Sequence, residues 1–215
     1  MIILFDLDGT LIDSTEAILE SFHHTFEIHH DELRSDEEIK ALIGYPLDVM
    51  FADLGVEEQK VWDYVAIYKE HYRKISTQKT LLIERAKEAV ERASKFAALG
   101  VVTTKTGEYS KILLEHFELM HYFEVLIGRE HVTHPKPHKE PIMKALESLN
   151  TKEKEIWMIG DTKLDLLCAR DAKVNAIAVL SGYDNYKTLK MFSDIIVKDA
   201  FEAVAYLEKK IKSQI

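Results

Sequence analysis

The spacing of apolar positions changes character twice along this chain. Met1-Ile2-Ile3-Leu4 is a continuous apolar run that reads as a fully buried strand, and it stops at two carboxylates placed two residues apart, Asp6 and Asp8. From Ser14 to about Lys79 the spacing is helical. Ile18, Phe22 and Phe26 recur every four residues behind the cap candidates Asp13 and Ser14. Ser35 and Glu38 stand at capping-box spacing ahead of a second helix, which ends before Gly44-Tyr45-Pro46. Val61, Val65, Tyr68 and Tyr72 form a stripe on a longer helix. This block predicts a small helical bundle without strands.

From Leu81 onward short apolar runs alternate with amphipathic segments, the signature of a parallel sheet with crossover helices. The runs are Val101 to Thr103, Val125 to Ile127, Ile156 to Ile159, Ala176 to Val179 and Ile195 to Val197. Helices are predicted over Ala86 to Ala98, Tyr109 to Phe117, Pro141 to Leu149, Leu164 to Ala172 and Ala200 to Ile211. With the first run there are about six strands, so the Asp6 strand joins the later sheet and the helical block is an insertion. The expected fold class is α/β: a Rossmann-like parallel sheet core, residues 1–13 and 81–215, with an inserted helical bundle, residues 14–80.

Composition narrows the classes. The chain has 215 residues, 47% hydrophobic and 30% charged, enough for one α/β domain with an insertion, and neither disorder nor low complexity fits. A net charge of -9 speaks against a broad nucleic-acid face, which needs clustered Lys and Arg, but leaves room for a local cationic pocket. The one cysteine, Cys168, excludes an internal disulfide and suits a reducing compartment. No run approaches a membrane span and the first apolar stretch is too short for a signal peptide, so a soluble cytoplasmic protein is expected.

Ligands gather at the carboxyl ends of strands in open parallel sheets. Asp6, Asp8, Gly9 and Thr10 follow the first strand, and Thr103, Thr104 and Lys105 the second. A His131 to Pro137 segment containing Lys136 follows the third, and Gly160-Asp161-Thr162-Lys163-Leu164-Asp165 the fourth. Asp161 and Asp165 are one helical turn apart and can face the same point. Taken singly these have ordinary explanations: Asp8-Gly9 is a common turn pair, Asp161 a possible helix cap, Thr103 a normal strand residue and Lys136 a surface lysine. Their joint placement is what carries information.

With these residues in view, the sequence resembles the haloacid dehalogenase superfamily of phosphotransferases along its whole length. "DLDGT" from Asp6 is similar to the first motif of that family, "VVTT" ending at Thr103 and Thr104 to the second, Lys136 in "HPKPHKEP" to the third, and "GDTKLD" from Gly160 to the fourth. "LIDS" followed by a helical insert resembles the phosphoglycolate-phosphatase-like branch with a small α-helical cap. Three positions depart from the pattern: Lys139 where proline is more usual, Lys173 where glycine is, and Thr104 where asparagine is frequent.

The resemblance implies Asp6 as nucleophile and Asp8 as the acid and base, with Thr103, Thr104 and Lys136 binding the phosphoryl group. A phosphate dianion repels an attacking carboxylate, so compensating positive charge is required, and Mg²⁺ is expected. By resemblance its ligands would be Asp6, Asp161 and the main-chain carbonyl of Asp8, with Asp165 acting through water or by orienting the others.

The implied activity is hydrolysis of a small phosphorylated metabolite: phosphoglycolate, pyrophosphate, or a small sugar or nucleotide phosphate. No nucleic-acid or membrane partner is expected, and the chain should be a monomer or weak homodimer. Alternatives are a phosphosugar mutase of the β-phosphoglucomutase type and a retired, purely binding or regulatory fold. An idle site gains nothing from buried like charges, which argues against the latter. A dehalogenase proper has no use for Asp8 or Asp161.

Other features read as structural. His23-His24 and His29-His30 suggest a metal only in so far as His23 and His30, seven apart, could share a helix face. Cys168 reads as a packed thiol, Trp62 and the tyrosines as bundle core or rim, Lys40 as a surface residue, and Gly44 to Leu47 as a loop that selects the leaving group by resemblance.

Overall fold

Alternation along the first strand sets the architecture. In the computed structural model, which describes residues 1–149 and 155–213, Ile3 and Phe5 enter one apolar layer and Ile2 and Leu4 the other, all fully buried. A strand buried on both faces must be central in its sheet, with helices above and below.

In chain order the elements begin with β1 (Ile2–Phe5), β2 (Ile12–Asp13), α1 (Thr15–Ile28), α2 (Asp36–Lys40), α3 (Leu47–Asp53) and α4 (Val61–Ile75). There follow β3 (Leu81–Leu82), α5 (Ala86–Ala93), β4 (Ala98–Val102), α6 (Gly107–His116), β5 (Val125–Ile127) and α7 (Glu140–Ser148). The chain ends through β6 (Ile156–Gly160), α8 (Lys163–Ala172), β7 (Asn175–Val179), α9 (Tyr186–Leu189), β8 (Ile196–Val197) and α10 (Ala200–Lys212). It divides into two compact units, Met1–Asp13 with Leu82–Ile215, and Ser14–Leu81.

In the first unit six parallel strands run in the order β5-β4-β1-β6-β7-β8. The sheet is Rossmann-like: successive strands step outward on one side of β1, and then β6 returns to its other side. Residues of α5, α6 and α10, among them Ala89, Val90, Leu113, Ala203 and Leu207, cover the Ile3 and Phe5 layer. Ile142 and Ala145 of α7 with Cys168 and Ala169 of α8 cover the other. The chain therefore changes covering face as it passes from β5 to β6, which puts the switch point, where sheets of this kind bind ligands, at the carboxyl ends of β1 and β6.

The second unit is helical. Phe22 and Phe26 of α1, Phe51 of α3 and Tyr64 and Tyr68 of α4 form one buried aromatic cluster, with ring centroids 4.6 Å apart for Phe22 and Phe51 and 4.9 Å for Phe22 and Tyr68. Ser35 caps α2 through the expected box, accepting from the Glu38 N–H while the Glu38 carboxylate accepts from the Ser35 N–H at 2.8 Å.

Some expectations were inexact. The helix predicted to reach Ala98 stops at Ala93, and Ala98 instead pairs with Ile2 in the parallel ladder, so tertiary pairing overrides the helix preference of alanine. The first strand ends at Phe5; Leu7 continues its buried row, but Gly9 adopts φ +83° and turns the chain so that Asp8 bridges to Ile12. His30 lies beyond α1 and shares no face with His23, which pairs with Asp36 at 2.8 Å. Trp62 is exposed, whereas the tyrosine stripe is core. Among the described residues no helix is long and apolar enough to cross a membrane.

Leu4 packs in the middle of the central strand. Leu4→Ala is expected to destabilise the sheet unit by about 2–5 kcal/mol, read as a lower urea midpoint; an unchanged midpoint would contradict this packing.

Candidate active site

Register brings the chemistry together. Phe5 is level with Val101 on one side and Ile159 on the other, so the residues that follow, Asp6, Thr103 and Asp161, emerge side by side from three adjacent strands. Lys136 arrives from the loop between β5 and α7, and Asp165 from the first turn of α8.

Lys136 is the electrostatic centre. Its Nζ donates to Asp6 Oδ1 at 2.7 Å and to Asp165 Oδ1 at 2.5 Å, and its side chain is only 2% exposed. Burial works against its charge, but the carboxylates of Asp165 and Asp6 outweigh that cost and hold its pKa above the ordinary lysine value. Asp165 is fixed further by Thr162, whose N–H and hydroxyl both donate to Oδ2, at 3.0 and 2.7 Å. Asp161 accepts from the Thr10 hydroxyl at 3.0 Å and from the Tyr183 N–H at 2.9 Å.

The donor atoms of Asp6, Asp161 and Asp165 lie within 4.8 Å of one another, and all three residues are buried. Three carboxylates against one ammonium leave two negative charges in excess if all are ionised. Burial, opposed by Lys136 and reinforced by Asp165 and Asp8, pushes the Asp6 pKa up to about 7. Burial, with Asp6 and Asp165 adding to it, drives the Asp161 pKa well above the usual carboxylate range. Both shifts come first from burial, with repulsion between the neighbouring carboxylates adding to it. An all-oxygen donor set of this charge and size fits a hard divalent cation.

Backbone space is reserved for these carboxylates. A Cβ on Gly9 would fall 2.3 Å from Asp161 Oδ2, and one on Gly182 would fall 2.0 Å from the same atom. Ser181 ties the two loops together, its hydroxyl donating to the Gly9 carbonyl at 2.8 Å.

Of the residues expected from the sequence, Asp6, Asp161, Asp165 and Lys136 form one hydrogen-bonded or closely apposed group. Thr103 is buried just beyond β4, and its hydroxyl oxygen accepts from the Lys105 N–H at 3.1 Å, which leaves its own proton to be donated. Thr104 is half-buried in the turn that follows. Asp8 stands apart from the carboxylate group. Its Oδ2 pairs with Lys105 Nζ at 3.3 Å, while Asp6 pairs with Lys136.

Thr10, Lys105 and Thr162 stand among the strand-end residues of the sequence without a role assigned to them, and the Ser181 to Tyr183 loop is not among them. The signal existed for the loop, because it follows β7, the strand beside β6, and the strand-end rule extends to it.

Known proteins resemble this chain along most of its length. The sequence profile described as haloacid dehalogenase-like hydrolase matches residues 3–179. The chain belongs to that family. A protein named Pyrophosphatase PpaX from Bacillus cereus strain G9842 is 33% identical over 181 residues, 82% of either chain. A PpaX relative from Caldanaerobacter subterraneus subsp. tengcongensis is 32% identical over 208 residues, 96% of this chain and 94% of its own. Among solved structures, a haloacid dehalogenase-like family hydrolase from Streptococcus pneumoniae superposes with a TM-score of 0.86 at 28% identity, covering 96% of this chain and 97% of that one. This haloacid dehalogenase-like protein is accordingly an enzyme, a hydrolase of the phosphatase kind.

The Lys136 loop is itself anchored. Glu140 accepts from the N–H groups of Thr133 and His134, both at 2.9 Å, and these bonds lower its pKa from 4.5 to about 2. Its charged form therefore stabilises the fold fully above about pH 4.5, and that contribution disappears as pH falls through about 2. The difference in melting temperature between wild type and Glu140→Gln is expected to be constant above about pH 5 and to close between about pH 4 and 2; a difference independent of pH would contradict a charge-based anchor.

Proposed function

We propose that this enzyme is a Mg²⁺-dependent phosphatase of small phosphate monoesters or pyrophosphate, working through an aspartyl-phosphate on Asp6. The observation that carries the reading is the buried group of Asp6, Asp161 and Asp165, with the Lys136 ammonium bonded to Asp6 and Asp165. Relatives bearing a pyrophosphatase name support the inclusion of pyrophosphate among the substrates. The helical unit, read as residues 14–80, is the substrate-selecting cap in this account, and cytoplasmic location is part of the same reading.

In this mechanism Lys136 holds Oδ1 of Asp6, and Oδ2 is the attacking atom. An Asp6 O–P bond forms as the ester P–O bond breaks, and Asp8 gives its proton to the leaving oxygen. Asp8 then takes a proton from the water that attacks phosphorus, which releases phosphate and restores Asp6. Thr103 donates its hydroxyl proton to a phosphoryl oxygen, an orientation enforced because its oxygen already accepts from Lys105. Lys136 neutralises charge on Asp6 and on the phosphoryl group without reacting. Asp6, Asp161 and the Asp8 carbonyl would hold the divalent ion, with Asp165 positioned by Lys136 and Thr162 to orient the set. Once bound, that ion supplies the remaining positive charge needed to bring a carboxylate up to a phosphate dianion.

Phosphate release from an aryl phosphate tests the reading. Activity is expected with Mg²⁺ and not with chelator. Asp6→Asn should fall to background, Asp8→Asn should lose about 10²–10⁴-fold, and Lys136→Met about 10²–10³-fold. Turnover that survives Asp6→Asn would contradict the mechanism. A screen of pyrophosphate, phosphoglycolate and sugar phosphates ranked by kcat/KM identifies the substrate, and an isomerised sugar phosphate in place of free phosphate would indicate a mutase.

A further inference from the structure

Apart from the active-site carboxylates, one other group of potential metal ligands converges among the described residues: His134, His138 and Glu140, whose donor atoms lie within 4.8 Å of one another. His134 and His138 come from the loop that carries Lys136 and Glu140 opens α7, all within the segment "HPKPHKE". Both imidazoles are exposed, their centroids 4.8 Å apart. His134 Nδ1 is 3.0 Å from Glu140 Oε2. The catalytic scheme above uses none of these side chains.

The backbone beneath them is fixed from several sides. His138 N–H donates to the Pro135 carbonyl at 3.0 Å, the Cys168 thiol to the His138 carbonyl at 3.0 Å, and Lys139 N–H to Asp171 Oδ2 at 3.0 Å. The Glu140 carboxylate is held by the Thr133 and His134 amides. A site whose ligand-bearing backbone is already ordered loses little entropy on binding an ion.

We infer that His134, His138 and Glu140 form a surface cation site for a late first-row divalent ion such as Zn²⁺, chemically distinct from the carboxylate cluster. Imidazole nitrogens favour ions of this kind, whereas an all-oxygen set favours Mg²⁺. Bonds of about 2.0–2.2 Å at a tetrahedral angle put two donors roughly 3.3 Å apart. The His134 to Glu140 pair already has nearly this separation. The ion takes the place of the contact between them, with the neutral His134 ring ligating through Nδ1 and carrying its proton on Nε2. His138 accepts from the Glu140 N–H at 3.1 Å, so its ring gives up this bond when it turns to the ion. The amide lies in the first turn of α7, where no intrahelical acceptor is required and water can replace the imidazole. Three protein ligands leave a fourth position for water.

The test uses the full chain with Mg²⁺ saturating the carboxylate cluster and ZnCl₂ as the probe, zinc being quantified by equilibrium dialysis. One zinc per chain is expected to be retained, with affinity about tenfold or more weaker in His134→Ala and in His138→Ala and binding lost in the double variant. His121→Ala, at another exposed histidine, should bind as wild type does. Histidine ring resonances assigned from the variants should shift for His134 and His138 on zinc addition, and thermal midpoints without zinc verify that each variant is folded. Equal zinc affinity in wild type and the double variant, or zinc uptake abolished by excess Mg²⁺, would overturn the site.

Discussion

The two hydrogen bonds from the Lys136 ammonium, to Asp6 at 2.7 Å and to Asp165 at 2.5 Å, are the constraint around which this enzyme is arranged. They balance one of three buried carboxylates and leave the rest of the charge uncompensated. An unpaired buried charge is worth about 3–5 kcal/mol when its partner is removed. The fold can tolerate such an imbalance only because many other contacts secure the residues that create it.

Those contacts explain features that otherwise look unrelated. The return of β6 to the open side of β1 puts Asp161 beside Asp6. Gly9 and Gly182 leave the Asp161 carboxylate room that any side chain would fill. The Thr162 cap of α8 is also the grip on Asp165, so one bond pair serves helix termination and site geometry together. Lys136 is buried from a loop, and a loop can deliver a charge accurately only if its backbone is tied down, as Glu140, Asp171 and Cys168 tie this one.

Much of this was legible in the sequence because strand-end chemistry in a parallel sheet is local. Each apolar run announces its strand, and the next few residues face the crevice, so Asp6, Thr103 and Asp161 could be named from position alone. Lys136 and Asp165 needed the family resemblance or the helical spacing. What local pattern leaves open is set by tertiary geometry: which carboxylates Lys105 and Thr10 meet, and the turn at Gly9 that bridges Asp8 to Ile12. The Ala98 boundary escaped for the same reason, since pairing with Ile2 is invisible to local propensity. The loop after β7 follows the same strand-end rule and is legible from its position beside β6.

The excess negative charge buried at Asp6, Asp161 and Asp165 is what a divalent cation would match. Thermal unfolding of wild type and Asp161→Asn at neutral pH, each with and without Mg²⁺, measures this directly. Without Mg²⁺ the asparagine variant should melt no lower than wild type, because the cost of burying the Asp161 carboxylate and its repulsion from Asp6 and Asp165 are relieved, and Mg²⁺ should raise the wild-type midpoint alone. A metal-free wild type more stable than the variant, with both responding equally to Mg²⁺, would contradict the account.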